Sequence, residues 1–522
     1  MGRRILREKN PPHMCHFKNC HFRGANSPRF TLTYYVIFRK MRSSLGTSGK
    51  SCMKQERLYY EDVICSKATP SGASAIAVIR VSGDNCWSII DKIFLRKNRK
   101  KIENIKSHKV YYGFIMDGKD AIDSVVLITF GKDKSFTGEE SFEIDCHGSE
   151  LISQMIINIL LKNGARLADP GEYSKRAFLN GKIDLSEAEA IMDVVNASTK
   201  QSAIVASRQL NGAVRDEINR IKDSVSTLLT AVEALIDYPE EDISPDVEEW
   251  MESLALINSN LESLLLSFER GRFFREGVRA TLIGKTNSGK STIFNSLLNE
   301  DKAIVSDIHG TTRDYLDAII NIKGFGVRLY DTAGLRYTTD PVEMEGTKRA
   351  VDLSQNSDVI LYVLDASLGL SEEDKKNIME IDKNKNLIVI LNKIDLIKSA
   401  SALTDEITDF LSIRKNFKIS EMSAKNRTGI ELFNNNFISL LTNRQDAGIE
   451  HESAVITNER HKNLLDKAHK NIINSFPYLR DGILDIAAFE LRESLDRLGE
   501  ITGEVTREDI INKIFSNFCV GK

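Results

Sequence analysis

Between Tyr59 and Thr129 the apolar positions come in short runs separated by turn-prone Gly and Asp: "SAIAVIRVSG" over 74–83, "KVYYGFI" over 109–115 and "DSVVLITF" over 123–130. Runs of that length, rich in Val, Ile and Tyr, predict strands, and the region reads as an α+β unit. From Leu185 to about Glu269 the spacing becomes that of amphipathic helices, as in "DSVSTLLTAVEALI" (223–236) and "SLALINSNLESLLLSF" (253–268), with Asp184 and Ser186 as candidate caps. Strand-like and helix-like runs then alternate from Val278 to about Leu441, which predicts a doubly wound parallel sheet. Helical spacing returns from about Ala454 to Phe518. A helical domain interrupted by an inserted α/β domain accounts for this order, and insertion requires the two ends of the insert to lie close together.

Length and composition narrow the picture. A chain of 522 residues exceeds what one hydrophobic core serves, so about three domains are expected. Hydrophobic residues make up 41% and charged residues 28%, and no stretch approaches the roughly 18 apolar residues of a membrane-spanning helix, so no membrane insertion is expected. Seven scattered cysteines argue against a disulfide framework and for a reducing compartment. The net charge of −3 hides an asymmetry: residues 1–52 hold eleven Lys or Arg against the single acid Glu8, a balance of +10 that leaves the rest at −13. Nucleic acid must therefore meet a local patch and not the field of the whole molecule. Residues 1–52 are set apart from the fold. The preferred reading is a mis-called start with the true one at Met53, which goes with a cytoplasmic protein; an organelle transit peptide also fits. The pairs Cys15-His16 and Cys20-His21 lack a second ligand pair, so no zinc site is assigned.

Candidate chemistry is concentrated between Gly284 and Lys425. "GKTNSGKS" (284–291) lies between the apolar strand "VRATLI" and the helical run "TIFNSLL", the context in which a Gly-rich loop wraps phosphates. Asn287, Ser288, Gly289, Lys290, Ser291 and Thr292 are the expected phosphate contacts, with Lys290 on the β and γ phosphates and Ser291 on Mg2+. "DTAG" follows, with Asp331 facing Mg2+ through water, Thr332 and Ala333 beside it and the Gly334 amide sensing the γ phosphate. "NKID" (392–395) ends a strand, where Asn392, Lys393 and Asp395 line the ligand crevice. The Asp395 carboxylate matches the two hydrogens of guanine N1 and its exocyclic amine, whereas adenine offers no such pair. "SAK", that is Ser423, Ala424 and Lys425, completes the base site, and Thr312 in "GTTRD" is the second expected Mg2+ ligand. The ordered set predicts a GTP-binding and GTP-hydrolysing enzyme. Leu335 stands where Ras-like enzymes carry a water-positioning Gln, which leaves Glu343 and Glu345 as candidates for that role.

With "SFTGEE" (135–140), "CHG" (146–148), "PGEYSKRAFLNGKIDLSEAEA" (170–190), "DYPEED" (237–242), "TNERH" (457–461) and the ending "FCVGK" (518–522), the chain resembles the tRNA modification GTPase MnmE (TrmE) family from about Val63 to Lys522. The resemblance implies a multidomain fold: residues 53–180 as an α+β N-terminal domain that binds tetrahydrofolate and dimerises, a discontinuous α-helical domain over 181–275 and 445–522, and an inserted Ras-like α/β P-loop GTPase domain over 276–444. It implies a 5-formyltetrahydrofolate-type donor held by Arg80, Glu143, Lys182 and Lys522. Without the resemblance those four would read as ordinary surface or strand-end charges. It also implies K+ held by Asn287, Ser306, Ile308 and Thr311, with a loop-tightening role as the alternative for Asn287. Glu343 matches the family's water-orienting acid and is preferred to Glu345. Cys519 is the candidate nucleophile, with a buried structural cysteine as the alternative. The implied activity adds a carboxymethylaminomethyl-type group at carbon 5 of a wobble uridine in tRNA, together with a flavin-dependent MnmG (GidA) partner in a heterotetramer built on a homodimer.

The chain departs from the family at Ala73 and Ser74, Thr286, Ser149 and Glu345. Two competing functions are a GTP-regulated ribosome-assembly or RNA-binding factor, which folate binding would exclude, and a signalling switch, which high intrinsic K+-dependent turnover would exclude.

Overall fold

In the computed structural model, which describes residues 62–238, 246–300, 317–331, 357–442 and 454–522, the N-terminal strands join in one seven-stranded sheet. They are β1 (Val63–Lys67), β2 (Ile76–Ser82), β3 (Phe94–Arg96), β4 (Lys109–Asp117), β5 (Asp120–Phe130), β6 (Ser141–His147) and β7 (Ala165–Leu167). Their order is β3-β4-β5-β6-β2-β1-β7, antiparallel throughout except for the β1/β7 pair. From Val125 onward β5 alternates buried and half-buried residues, the pattern of a sheet with one covered face. The cover is α1 (Trp87–Ile93) and α2 (Glu150–Lys162), whose Ile156, Ile159 and Leu160 pack on Ile79, Leu127 and Ile144. Ser149, one of the departures noted above, caps α2: its hydroxyl accepts the Ile152 N–H, which glycine has no oxygen to do.

The helical part begins after α3 (Glu172–Leu179) with α4 (Leu185–Asn196), α5 (Lys200–Leu210), α6 (Ala213–Asp237) and α7 (Val247–Glu276). Asp184 is the cap of α4, and it forms a reciprocal pair with Glu187. Ser186 is not a cap: it lies in the first turn and donates to Asp184 Oδ1 at 2.7 Å. On α6 the residues Ile218, Ile221, Val225, Leu228 and Val232 recur every three or four positions, so they form one buried stripe.

The chain then crosses into a six-stranded sheet. Its elements are β8 (Val278–Ile283), α8 (Lys290–Glu300), β9 (Asp317–Ile322), β10 (Phe325–Asp331), β11 (Val359–Asp365), α9 (Glu372–Met379), β12 (Asn386–Asn392), α10 (Ser401–Phe410), β13 (Phe417–Glu421) and α11 (Ile430–Thr442). The order is β13-β12-β11-β8-β10-β9, with β9 alone antiparallel to its neighbour. Continuous burial along β11 and β12 follows from helices covering both faces.

The last helices are α12 (Glu459–Arg480) and α13 (Leu484–Thr502), which return to the bundle, and α14 (Glu508–Phe515), whose Ile511 and Phe515 pack with Leu185 and Ala188 of α4. Leu465, Ala468 and Ile472 of α12 and Leu491 and Leu498 of α13 enter the core made by α6 and α7. The two ends of the insert meet here. Ile456, fully buried, donates its N–H to Ser267 Oγ of α7 at 3.0 Å, and Gln209 of α5 donates to the Val455 carbonyl at 2.8 Å. Among the described residues no helix is long and apolar enough to cross a membrane.

Candidate functional site

The loop between β8 and α8 holds the sequence-predicted phosphate contacts in one turn. Gly284 (φ +143°) and Gly289 (φ +96°) take backbone conformations that side chains rarely adopt. A Cβ on Gly284 would run into the Val363 carbonyl, and one on Gly289 into the Asn392 amide. Asn287 is also left-handed, at φ 63°. Lys290 Nζ lies across the mouth of this turn, donating to the carbonyls of Gly284 at 2.8 Å and Lys285 at 2.6 Å. Ser291 and Thr292 follow on the exposed side of the first turn of α8. Helix start, lysine and wrapped backbone form a ready anion cradle.

Asn392, Lys393, Asp395 and Ser423 come to the same end of the sheet and lock onto that loop. Asn392 Nδ2 donates to the Ser288 carbonyl at 2.9 Å, and its Oδ1 accepts the Ala424 N–H at 3.1 Å. Lys393, left-handed at φ 62°, donates from Nζ to the Asn287 carbonyl at 2.8 Å and to Asp365 Oδ2 at 2.6 Å. Ser423 Oγ donates to Asp395 Oδ1 at 2.5 Å and so fixes the carboxylate, which stays exposed, as does Lys425. Burial disfavours the charge on Asp365, but the Lys393 and Ser367 bonds outweigh it and hold this carboxyl below its ordinary value. Sequence reasoning missed Asp365. The available signal was its place at the end of β11, in register with Asn392 at the end of β12.

Asp331 closes β10, while its side chain and Thr332, Ala333, Gly334, Ser306, Ile308, Thr311, Thr312, Glu343 and Glu345 lie outside the described residues. So do residues 1–52.

A second cluster forms on the N-terminal sheet. Arg80 of β2 and Glu143 of β6 are paired across the strands, Nε to Oε1 at 2.8 Å, and the same guanidinium donates to the Gly521 carbonyl at 3.2 Å. The chain end is thus drawn onto the sheet, with buried Gly521 against Lys67 and Ala68 of the β1 end. Burial pulls the Lys522 ammonium down from its ordinary value; Cys519 works the other way, and the Arg80 charge adds to the lowering. Cys519 is exposed, which overturns the alternative of a buried structural cysteine, and its carbonyl accepts the Gly171 N–H at 3.4 Å. Lys182 is placed differently. It is exposed and donates to the Asp133 carbonyl at 2.9 Å, on the loop that carries "SFTGEE".

Under this cluster lies a buried ion network that the motifs contained without showing its geometry. Arg176 has no exposed side-chain surface and bonds Asp62 at 2.7 Å, Glu172 at 2.8 Å and Glu139 at 3.2 Å. Burial pushes the Glu139 carboxyl up, against the pull of Arg176. Glu172 is also desolvated, yet Arg166, the Asp169 N–H and Arg176 together hold it below its ordinary value. The network fixes α3, and through Gly171 the tail bearing Cys519.

The chain is similar to known proteins over both of these regions. The description "MnmE helical domain" matches residues 185–519, and "GTP-binding protein TrmE N-terminus" matches residues 63–182. The tRNA modification GTPase MnmE of Carboxydothermus hydrogenoformans is 40% identical over 468 residues, covering 88% of this chain and 100% of that protein. The protein of the same name from Thermoanaerobacter sp. is 41% identical over 465 residues, covering 88% and 99%. Among solved structures, the FeoB G-domain from Methanococcus jannaschii is 26% identical and covers 32% of this chain and 98% of its own, with a TM-score of 0.23. On the strength of the first four matches, this chain belongs to the family of the tRNA modification GTPase MnmE.

Proposed function

We propose that GTP turnover in the inserted sheet controls a one-carbon transfer at the N-terminal sheet, adding a carboxymethylaminomethyl-type group at carbon 5 of a wobble uridine. In this reading the chain works as a homodimer, over the domain limits expected from its sequence, joined by a flavin-dependent MnmG (GidA)-type protein in a heterotetramer, in the cytoplasm. The observation that carries it is the Arg80 guanidinium, which holds both Glu143 and the Gly521 carbonyl and so makes the Cys519 tail part of the sheet.

Each residue has a task of its own. Asp395, oriented by Ser423, accepts the two guanine hydrogens, and Asn392 keeps the phosphate loop and the base loop at fixed separation. Lys290 moves its donors from the loop carbonyls to the β and γ phosphates. Ser291 and Thr312 would hold Mg2+, and the exposed side chain of Asn287, with Ser306, Ile308 and Thr311, would hold K+. Those cations supply charge neutralisation as the γ phosphate leaves. Glu343 orients the attacking water. Arg80, Lys182 and Lys522 suit the glutamate carboxylates of a 5-formyltetrahydrofolate-type donor, and Glu143 can read a pterin edge. Cys519, exposed near the end of the tail, would in this reading attack an electrophilic carbon.

Calorimetric titration of 5-formyltetrahydrofolate into the full chain tests the donor site. Binding that weakens about tenfold or more in Arg80→Ala, with GTP hydrolysis intact, is expected from loss of one charge-assisted contact. Failure of the unaltered protein to bind the folate would overturn the reading.

A further inference from the structure

The strands that border the nucleotide-sensing motifs form a hairpin. β9 begins three residues after Asp314 of "GTTRD", and β10 ends on Asp331 of "DTAG". At the tip of this hairpin Lys323 is exposed, while Gly324 lies so near α5 that a Cβ on it would approach Gln201 Cβ to 3.1 Å. The hairpin rests on the elbow between α4 and α5.

The contact centres on one hydroxyl. Thr199, 6% exposed, donates from Oγ1 to the Gly324 carbonyl at 2.8 Å while accepting the Ser202 N–H at 3.0 Å as the cap of α5. Gly326 sits so near the elbow that a Cβ there would approach Ser198 Oγ to 2.7 Å. The hairpin is held from behind by Phe325, stacked on Phe274 of α7 with centroids 4.4 Å apart. Its polar handle on the elbow is the Thr199 hydroxyl, while Lys323 at the tip bonds Asn435 of α11.

From the elbow the path is continuous. Leu185 and Ala188 of α4 pack with Phe515 and Phe518, and Cys519 follows directly. Glu189, on the same helix, is bonded by Arg460 at 2.8 Å and by His461 at 2.7 Å, at the point where the chain re-enters the bundle. α4 thus cannot shift without shifting the tail. We infer that Thr199 is a positioning residue for the tRNA modification reaction: through its bond to Gly324 it couples the nucleotide-sensing hairpin, by way of α4 and the Phe515–Phe518 cluster, to the placement of Cys519. The inference rests on the reading that nucleotide turnover controls chemistry at the tail.

The test is the rate of iodoacetamide labelling at Cys519 in the full-length protein, read by peptide mass spectrometry with GDP and with guanylyl imidodiphosphate. Coupling of this kind predicts a rate ratio of about fivefold or more between the two nucleotides in the unaltered protein. Thr199→Val should bring the ratio close to one while GTP hydrolysis persists, and Thr199→Ser should restore it. Persistence of the full ratio in Thr199→Val, or no ratio in the unaltered protein, would overturn the relay. Should Thr199→Val also lose GTP hydrolysis, Gly326→Ala, which leaves the α5 cap in place and wedges the same contact, decides by the same criterion. Labelling does not require Cys519 to act as a nucleophile, so failure of that role and failure of the relay are told apart.

Discussion

Asn392 donates its side-chain amide to the main-chain carbonyl of Ser288 at 2.9 Å, so the residue that ends β12 is bolted to the loop that wraps the phosphates. Its other side-chain atom receives the Ala424 N–H at 3.1 Å. One buried amide thus sets the distance between two loops proposed to grip the same nucleotide. Asn392→Ala leaves both partners unsatisfied, at about 1–3 kcal/mol each. GDP affinity, measured by fluorescence titration, should fall at least about tenfold with the far-ultraviolet dichroism unchanged.

Asp395, the residue proposed to read the base, presents an exposed carboxylate held by Ser423 at 2.5 Å. Asp395→Asn replaces an acceptor with a donor, which opposes the guanine amine and suits the carbonyl that xanthine carries in its place. Competition binding should show GTP affinity falling about 100-fold or more and xanthosine triphosphate becoming the better ligand. Unaltered preference for GTP would contradict the assignment.

Potassium is expected to act beside the phosphates through Asn287. Steady-state GTP hydrolysis in K+ buffer should exceed that in Na+ buffer about tenfold or more, since charge neutralisation at the leaving phosphate is a large term. Asn287→Ala should remove the difference.

Glu189 is buried against Arg460 and His461. Burial opposes its charge, but the two partners outweigh it and hold the carboxyl well below the usual range. A depressed carboxyl stabilises the fold fully above its unfolded value, near about 4.3, and loses that contribution as pH falls through the folded value. Glu189→Gln should therefore cost about 3 kcal/mol at pH 7. Its deficit in urea unfolding should begin to shrink below about pH 4.3, at roughly 1.4 kcal/mol per pH unit.

What could be read from the sequence divides by range. The phosphate loop, "NKID" and "SAK" were legible because their chemistry sits on consecutive residues at strand ends, and the parallel sheet because buried strands read as unbroken apolar runs. Contacts between distant residues leave no such pattern. Arg80 and Gly521 lie 441 positions apart, and Thr199 and Gly324 lie 125 apart, so neither pairing shows in any spacing. Nothing local in the sequence tells that the Arg176 side chain is fully buried. Ser149 departs from the family, and nothing in the sequence shows that α2 starts on its hydroxyl.

The most direct test of the account is a paired assay on Cys519→Ser, with GTP hydrolysis and wobble-uridine modification measured on one preparation. Hydrolysis should stay near the unaltered rate while modification disappears. Modification at full rate in that variant would contradict the account.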